Sequence, residues 1–513
     1  MSTTITTSIQ RKLLNADQAV ALIGDGMTVA SGGFVGAVHP EALSTALEKR
    51  FLADNSPRDL TLVYAAGQGD GKTRGLNHLA HGGLLRRVIG GHWGLVPRLG
   101  ALALAEEIEA YNFPQGVICQ LFRDIAAGRP GCFTHVGLDT LADPLFGGGR
   151  LNTRTPAGLV ERITLDGKPW LWYRSFPIDI GLIRASAADC HGNLIMDDEV
   201  MVGDVLAIAS AVHNSGGRVL AQVRRLIDGP AAPHHVRVPG ILVDHVVVCD
   251  DPESDGPLRS PAFISCAPFA GEEPVAPLPL DERRIIAARA CDELPPNSIA
   301  NIGIGVPEGV AAIAAERGLL STVTLTVECG VIGGMPAGGP AFGASRHPQA
   351  FIDQPAMFDF YDGGGLDYSA LGAAEIDGSG NVNVSRFGNK VAGVGGFINI
   401  SQTAKRLVFC STFTSGGLQV AIADGRLVIV KEGRNAKFVA SVGQLSFNAR
   451  RARERAQDVL YVTERAVFRL GESGLELIEV APGIDVQRQI LDLLPFTPRI
   501  GELTLMPARI FSL

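Results

Sequence analysis

Glu328 is the residue whose surroundings best suit it to bond-making. It ends the alternating run Thr322 to Val327 and is followed by Cys329-Gly330, Gly333-Gly334 and Gly338-Gly339. A glutamate serving only the surface needs no such glycines. Here they strip side chains from its vicinity, admit a large ligand and offer backbone N–H groups. A carboxylate held against a thioester in a dry pocket can displace the thiolate and form an acyl-glutamyl anhydride. The thiolate then attacks the glutamyl carbonyl, leaving a protein-bound thioester, and an acceptor carboxylate runs the steps in reverse. Each tetrahedral intermediate needs hydrogen-bond donors worth ~3 kcal/mol apiece. Asn301 and the glycine amides are the candidates. Cys329 has no histidine or other base close in sequence to activate it, so it reads as a packing residue.

Just upstream, NIGIGVPEGVAAIAAERG predicts a short strand, a turn at Gly303 and Gly305, and a helix opening on Pro307-Glu308 and closing at Gly318. Val310, Ile313 and Ala314 give it an apolar face, with Arg317 as a basic end. Its free N–H groups suggest an oxyanion or phosphate site. With an acid about twenty residues on, the glycines also mimic a dinucleotide-binding fingerprint. Pro307, which removes a helix-start N–H, and the second glycine cluster after Glu328 weigh against that reading.

Further downstream, Gly363 to Gly365 and Gly395-Gly396 could admit a nucleotide-bearing ligand, and Lys405 could meet a phosphate, although a solvated lysine is the plainer reading. Asp367, Asp377 and Asn399 suit turn caps. In the first half, Gln115 beside a Pro-Gly turn could bind a carboxylate by its amide or merely cap a helix. The eight cysteines form no C-x-x-C pair and the eleven histidines no metal-binding helix pattern, so no metal site is expected.

The elements that must position these residues follow from composition and pattern. With 513 residues, 46% hydrophobic and 19% charged, the chain can bury more than one core. A net charge of −8 with no Lys/Arg-rich block argues against a nucleic-acid partner. No apolar run approaches the ~20 residues that span a bilayer, and the N-terminus lacks a signal core, so a cytoplasmic protein is expected. Apolar runs of strand length alternate with helical stretches, which favours open, mostly parallel sheets with ligands at their carboxyl ends.

The proline- and acid-rich stretch between Asp250 and Asp281 reads as a connection between domains, giving 1–255, a linker 256–280 and 281–513. Met27 to Arg50 resembles Ser298 to Gly318, and Ile178 to Met196 resembles Gly364 to Val384, in the same order. The expected fold is therefore α/β, two related open domains duplicated in tandem, the first copy carrying extra residues between its motifs.

The motifs GGFVGAVHPEAL, NFPQG, NIGIGVPEGV, ECGVIGGMPAGG, FYDGGGLDYSALGAAEIDGSGNVNVSRFG and GGFINISQTAK, in this order, resemble family I CoA transferases, the single-chain acetate and propionate enzymes in particular. The resemblance covers essentially the whole chain. It implies that Glu328 carries the CoA thioester, with Asn301, Gly303 and Gly305 in the loop beside it. It places Gly395 and Gly396, with Asn399 and Lys405, against the coenzyme. Gln115 faces the carboxylate substrate, and Gly32-Gly33 belongs to a loop closing over the acyl group. Relatives in the 3-oxoacid branch carry asparagine where this chain has Ala42. The resemblance further implies short-chain acyl-CoA and carboxylate substrates, no tightly bound cofactor, and a homodimer or homotetramer.

Two other readings share parts of this pattern. An acyl-CoA hydrolase would use the same glutamate and differ in admitting water. A non-enzymatic sensor of a phosphorylated metabolite would use a related fold, but the chain has no DNA-binding helix pair or basic tail as an output element.

Overall fold

The computed structural model describes residues 8–250, 252, 258–265 and 277–512. Much of the expected linker 256–280 lies outside the described residues. Of the part within them, Leu258 and Phe263 are buried, and the Ala262 carbonyl accepts from the His347 amide at 2.8 Å. Asp281 then caps the helix Glu282–Cys291 by accepting from the Arg283 and Arg284 amides.

Two sheets organise the chain. In the first, five parallel strands run in the spatial order Leu60–Tyr64, Thr28–Ser31, Ile180–Ala188, Arg218–Leu226, His245–Val248. In the second the order is Thr324–Val327, Ile299–Ile302, Tyr368–Gly372, Arg406–Cys410, Asp458–Val462, again parallel. Numbered by chain position within each set, both read 2-1-3-4-5. This common order bears out two related open domains, and the two motif echoes of the sequence fall on equivalent neighbouring strands. The extra residues of the first copy add two parallel strands, Leu85–Gly90 and Glu109–Asn112, outside Leu60–Tyr64.

These strands are buried on both faces, with polar side chains such as Arg184, Ser186 and Thr326 among them. Leu60–Tyr64 and Ile180–Ala188 are buried along their whole length. The helix Gly309–Glu316 buries Val310, Ile313 and Ala314 as its pattern predicts, and Gly318 leaves it in the left-handed region at φ 70°. Among the described residues no helix is long and apolar enough to cross a membrane.

The domains share a core. Phe34, Val117 and Ile118 of the first belong to one buried cluster with Cys329, Met357 and Phe358 of the second. Gly116 lets the helix Gln115–Ala126 approach the second domain, since an added Cβ would lie 2.4 Å from Asn399 Nδ2 and 2.5 Å from the Phe358 ring. Backbone bonds stitch the same seam: the Gln115 amide donates to the Gly395 carbonyl at 2.8 Å, and the Gly395 amide donates to Gly91, also at 2.8 Å.

Candidate active site

In an open sheet of order 2-1-3-4-5 the chain leaves strand 1 in opposite directions toward strands 2 and 3, opening a crevice at their carboxyl ends. The second sheet places Asn301, Gly303 and Ile304 there at the end of one strand, Leu371 to Glu375 at the end of another, and Glu328 one residue past Val327. The first sheet contributes Phe34, Gly67, His92 and Gln115 just beyond four of its own parallel strands. The carboxyl ends of the two sheets thus face one another across a cavity of about 1020 Å³.

Glu328 lines this cavity and is partly buried. Burial raises its carboxyl pKa above the ordinary value, while its own backbone amide and the Asn301 side chain donate hydrogen bonds that pull the other way. Asn301 is held from behind: Nδ2 donates to the Thr326 carbonyl at 3.2 Å and lies 3.4 Å from the Tyr361 hydroxyl. That hydroxyl is 2.8 Å from Thr326 Oγ1, and Thr326 Oγ1 donates to the Ala300 carbonyl at 3.0 Å. The result is a carboxyl shifted upward by burial beside an amide held in place. Cys329, next in sequence, points away from the cavity with Sγ 3.2 Å from the Gly343 carbonyl, and burial pushes its thiol well above the usual range.

Two of the glycines around Glu328 serve a different end from the one their clustering suggests. A Cβ on Gly330 would fall 2.0 Å from the Ile352 carbonyl oxygen, and one on Gly334 2.1 Å from that of Arg346. These two let the returning chain 343–353 pack against the loop, whereas Gly339, with open space at its Cβ, lines a smaller cavity. Nor are the glycine amides free oxyanion donors. Those of Gly303, Gly330, Gly333 and Gly395 donate to backbone carbonyls, and that of Gly305 to the Glu308 carboxylate at 2.9 Å. The start of the Val306–Glu316 helical segment is therefore occupied by a carboxylate of its own chain, which removes the anion site expected there.

What remains is side-chain chemistry. Gln115 is buried in the cavity wall with its Nε2 lacking a partner, and Asn301 Oδ1 is likewise unpartnered. His92, which sequence reasoning passed over, lines the cavity with an unpartnered Nδ1, and burial brings its pKa down to about 4. Its ring fits between three glycines: an added Cβ would meet it at 2.4 Å on Gly67, 3.0 Å on Gly94 and 3.5 Å on Gly395. The run GGHWG at 90–94 was the available signal. Phe34 and Phe342, one from each domain, stack with ring centroids 5.8 Å apart and form part of the wall.

The other expected site residues divide. Gly303, Gly395 and Gly396 line the cavity with Asn301, Gln115 and Glu328. Gly32 and Gly33 do not. They shape the turn that brings Phe34 and Val35 in, with Gly33 close against the His39 backbone and Gln68. Gly305 lies outside the cavity lining at φ 91°. Asn399 is fully buried as a latch between domains, accepting from the Gly116 amide at 3.2 Å and donating to Asp362 at 2.9 Å. Lys405 precedes the strand Arg406–Cys410, at the amino end of the sheet and so on the opposite side from Glu328, where it pairs with Asp367 at 2.8 Å. The cations that do line the cavity are Lys390 and Lys437.

Comparison with known proteins places this arrangement in a family. Residues 13–249 match the family model "Coenzyme A transferase". The chain is 43% identical over 508 residues to the acetate CoA-transferase YdiF of Escherichia coli O157:H7, covering 97% of this chain and 95% of that one. It is 40% identical over 519 residues to the caffeate CoA-transferase of Acetobacterium woodii, covering 98% and 97%. The crystal structure of the Escherichia coli O157:H7 acyl-CoA transferase YdiF superposes with a TM-score of 0.90 at 42% identity, over 98% of this chain and 96% of that one. A thioester complex of that enzyme with CoA superposes equally well, at 41% identity and over 98% and 97%.

The chain belongs to the coenzyme A transferase family. It is a single-chain CoA-transferase, an enzyme that moves coenzyme A between an acyl-CoA and a free acid.

Proposed function

We propose that the transfer runs through Glu328 by double displacement. The carboxylate attacks the thioester carbonyl carbon, the C–S bond breaks, and an acyl-glutamyl anhydride and CoA thiolate result. The thiolate attacks the glutamyl carbonyl, the acyl carboxylate leaves, and CoA is held as a thioester of Glu328. The acceptor acid then attacks that thioester, re-forming an anhydride, and the released thiolate takes the new acyl group while Glu328 regains its carboxylate. Protons balance without a general acid or base, which accords with a site whose only histidine on the cavity wall is held neutral.

The observation that carries this reading is the raised, cavity-facing carboxylate of Glu328 beside the fixed amide of Asn301. Desolvation makes the carboxylate more reactive, and exclusion of water favours acid over hydrolysis as the second acceptor. Gln115 Nε2, buried and unpartnered, suits the entering carboxylate or the oxyanion formed from it. Coenzyme A is a substrate and not a resident cofactor. Its pantetheine arm would run past Gly303, Gly395 and Gly396, and its phosphates would leave near Lys390, a lysine exposed at the cavity rim.

Acetate and related short-chain acids are the acceptors this reading favours, in keeping with the enzyme from Escherichia coli named above. A cytoplasmic homodimer or homotetramer, each chain divided by a linker at 256–280 between its domains 1–255 and 281–513, completes it. The test is to mix the protein with an acyl-CoA lacking acceptor, reduce with borohydride and map the modified peptide. An unmodified Glu328 after demonstrated turnover would overturn the mechanism.

A further inference from the structure

A thioester cleaved at a buried nucleophile projects two groups from one carbon, the coenzyme on one side and the acyl tail on the other, so a site for it needs two limbs. The structure has a second cavity of about 350 Å³ that shares Val35, Leu95 and Ile304 with the large one. Val35 follows Phe34, whose ring packs on Gly343, and the Gly343 carbonyl meets Cys329 beside Glu328, so this side of the neck lies toward Glu328, while Ile304 is half exposed at its rim. The large cavity also holds Lys390 and Lys437, which suit the anionic coenzyme. The short limb has largely apolar walls from Leu258, Pro340 and the three neck residues.

We infer that this short limb is an acyl chamber that extends the short-chain acids proposed above to apolar acyl groups of medium-chain length such as hexanoyl. The inference rests on the covalent reading above and adds the substrate class. A volume of about 350 Å³ is roughly a dozen water-sized volumes at ~30 Å³ each, of which the three heavy atoms of an acetyl group fill a small part. Burying apolar tail surface there is worth ~25 cal/mol per Å². The chamber also selects against a second carboxylate. Burial works to raise the pKa of Glu41, but bonds and charge from His78 and His39, with the Gly75 amide, outweigh it and hold the carboxyl down to about 2. Asp70 is kept ionised by the backbone amides of residues 72 to 74. Against these two charges stands Arg74, already 3.3 Å from Glu41. Burial works to lower the pKa of His78, but Glu41 and Glu48 outweigh it and raise it, and the ring is also paired with Glu41, so a succinyl tail would meet cations already engaged by a carboxylate, with Asp70 beside it.

Gly36 provides the test because it faces this chamber without lining the large cavity. A Cβ added there has only Leu258 Cδ1 within reach, at 3.9 Å, so a side chain fits without strain. Transfer from acetyl-, hexanoyl- and succinyl-CoA to a common acid would be measured for the wild-type protein, Gly36→Ala and Gly36→Leu. The chamber predicts that wild-type kcat/KM for hexanoyl-CoA at least equals that for acetyl-CoA, with succinyl-CoA at least 100-fold lower. Gly36→Leu should lower the hexanoyl-to-acetyl ratio at least 20-fold, and Gly36→Ala only a few-fold. Acetyl transfer with hexanoyl-CoA more than tenfold worse in the wild type, or a ratio unmoved by Gly36→Leu, would overturn the inference and leave the Glu328 mechanism intact. Borohydride labelling of Glu328 reads that mechanism separately.

Discussion

Replacing Gln115 with methionine should make the protein more stable and less active. Gln115 is 2% exposed and its Nε2 has no hydrogen-bond partner, while its backbone amide is already spent on Gly395. A buried unsatisfied donor costs about 1–3 kcal/mol, and methionine keeps the length of the side chain while removing that donor. The unfolding midpoint in urea should therefore rise by an amount equivalent to about 1–3 kcal/mol, with the slope unchanged. The same group is the one we assign to the entering carboxylate or its oxyanion, and loss of one such donor typically lowers the rate 10²- to 10³-fold. Steady-state transfer to a saturating and a limiting acid would separate the two effects, and kcat/KM for the acid should fall about 10²-fold. A variant that loses stability would show that the amide is satisfied in the free enzyme. A variant with unchanged transfer would show that it never meets substrate. Either result refutes the reasoning, because both halves rest on the same unpartnered nitrogen.

Glu328→Gln should also stabilise, but only in one pH range. The folded-state pKa of Glu328 is raised by burial, so the cost to the fold grows as the pH rises from the ordinary glutamate value and is fully present above the raised one. The variant's stability advantage should be clear at pH 8 and shrink as the pH falls through the raised pKa toward 4.5. An advantage independent of pH would refute the burial argument, and the same titration predicts that labelling of Glu328 by acyl-CoA falls off at a pH above the ordinary glutamate value. Lys390→Glu should raise KM for acyl-CoA at least fivefold at low ionic strength, with the effect diminishing in 0.5 M salt. Lys405→Ala, which breaks an exposed pair with Asp367, should leave that KM within twofold and cost under ~1 kcal/mol; the reverse pattern would move the coenzyme phosphates to the other side of the sheet. Gly116→Val should yield misfolded protein, since even its Cβ would collide with Asn399 and Phe358 at 2.4–2.5 Å, and a soluble, active variant would show that the domain seam yields more than this packing allows.

The local features were readable from residue order because they depend on residue order. The strand, turn and helix of Ser298 to Gly318 appear where the apolar spacing puts them, and Glu328 stands at the strand end expected of it. The duplication was readable because both copies keep the same turn and strand chemistry. What escaped was whatever depends on a partner distant in the chain. Gln115 meets Gly395 across 280 residues, and His92 fills space left by Gly67 and Gly395. Gly330 and Gly334 resemble a ligand cradle in sequence, yet their need for glycine comes from the carbonyls of Ile352 and Arg346. Lys405 is the instructive misplacement. It precedes its strand, and in a parallel sheet that alone puts it at the end opposite to the ligand.

On the mechanism proposed above, the duplication also explains why one copy reacts and the other does not. The echo of Met27–Arg50 in Ser298–Gly318 sets Thr28 against Ile299, and their strand partners Thr61 and Thr324 then correspond. Counting forward from these pairs, Ala65 occupies the place of Glu328, and Ala30 that of Asn301. The frame that presents a carboxylate at a strand end is therefore present twice, but the first copy carries methyl groups at both reacting positions. Its chemistry has instead moved outward, to Phe34 beyond one strand, His92 beyond another and Gln115 beyond a third, all facing the second copy's carboxylate. Ala65 is fully buried and does not line the cavity, so a carboxylate there would be desolvated without reaching the substrate. The two copies thus divide the work, one keeping the carboxylate and the other the side chains that face it.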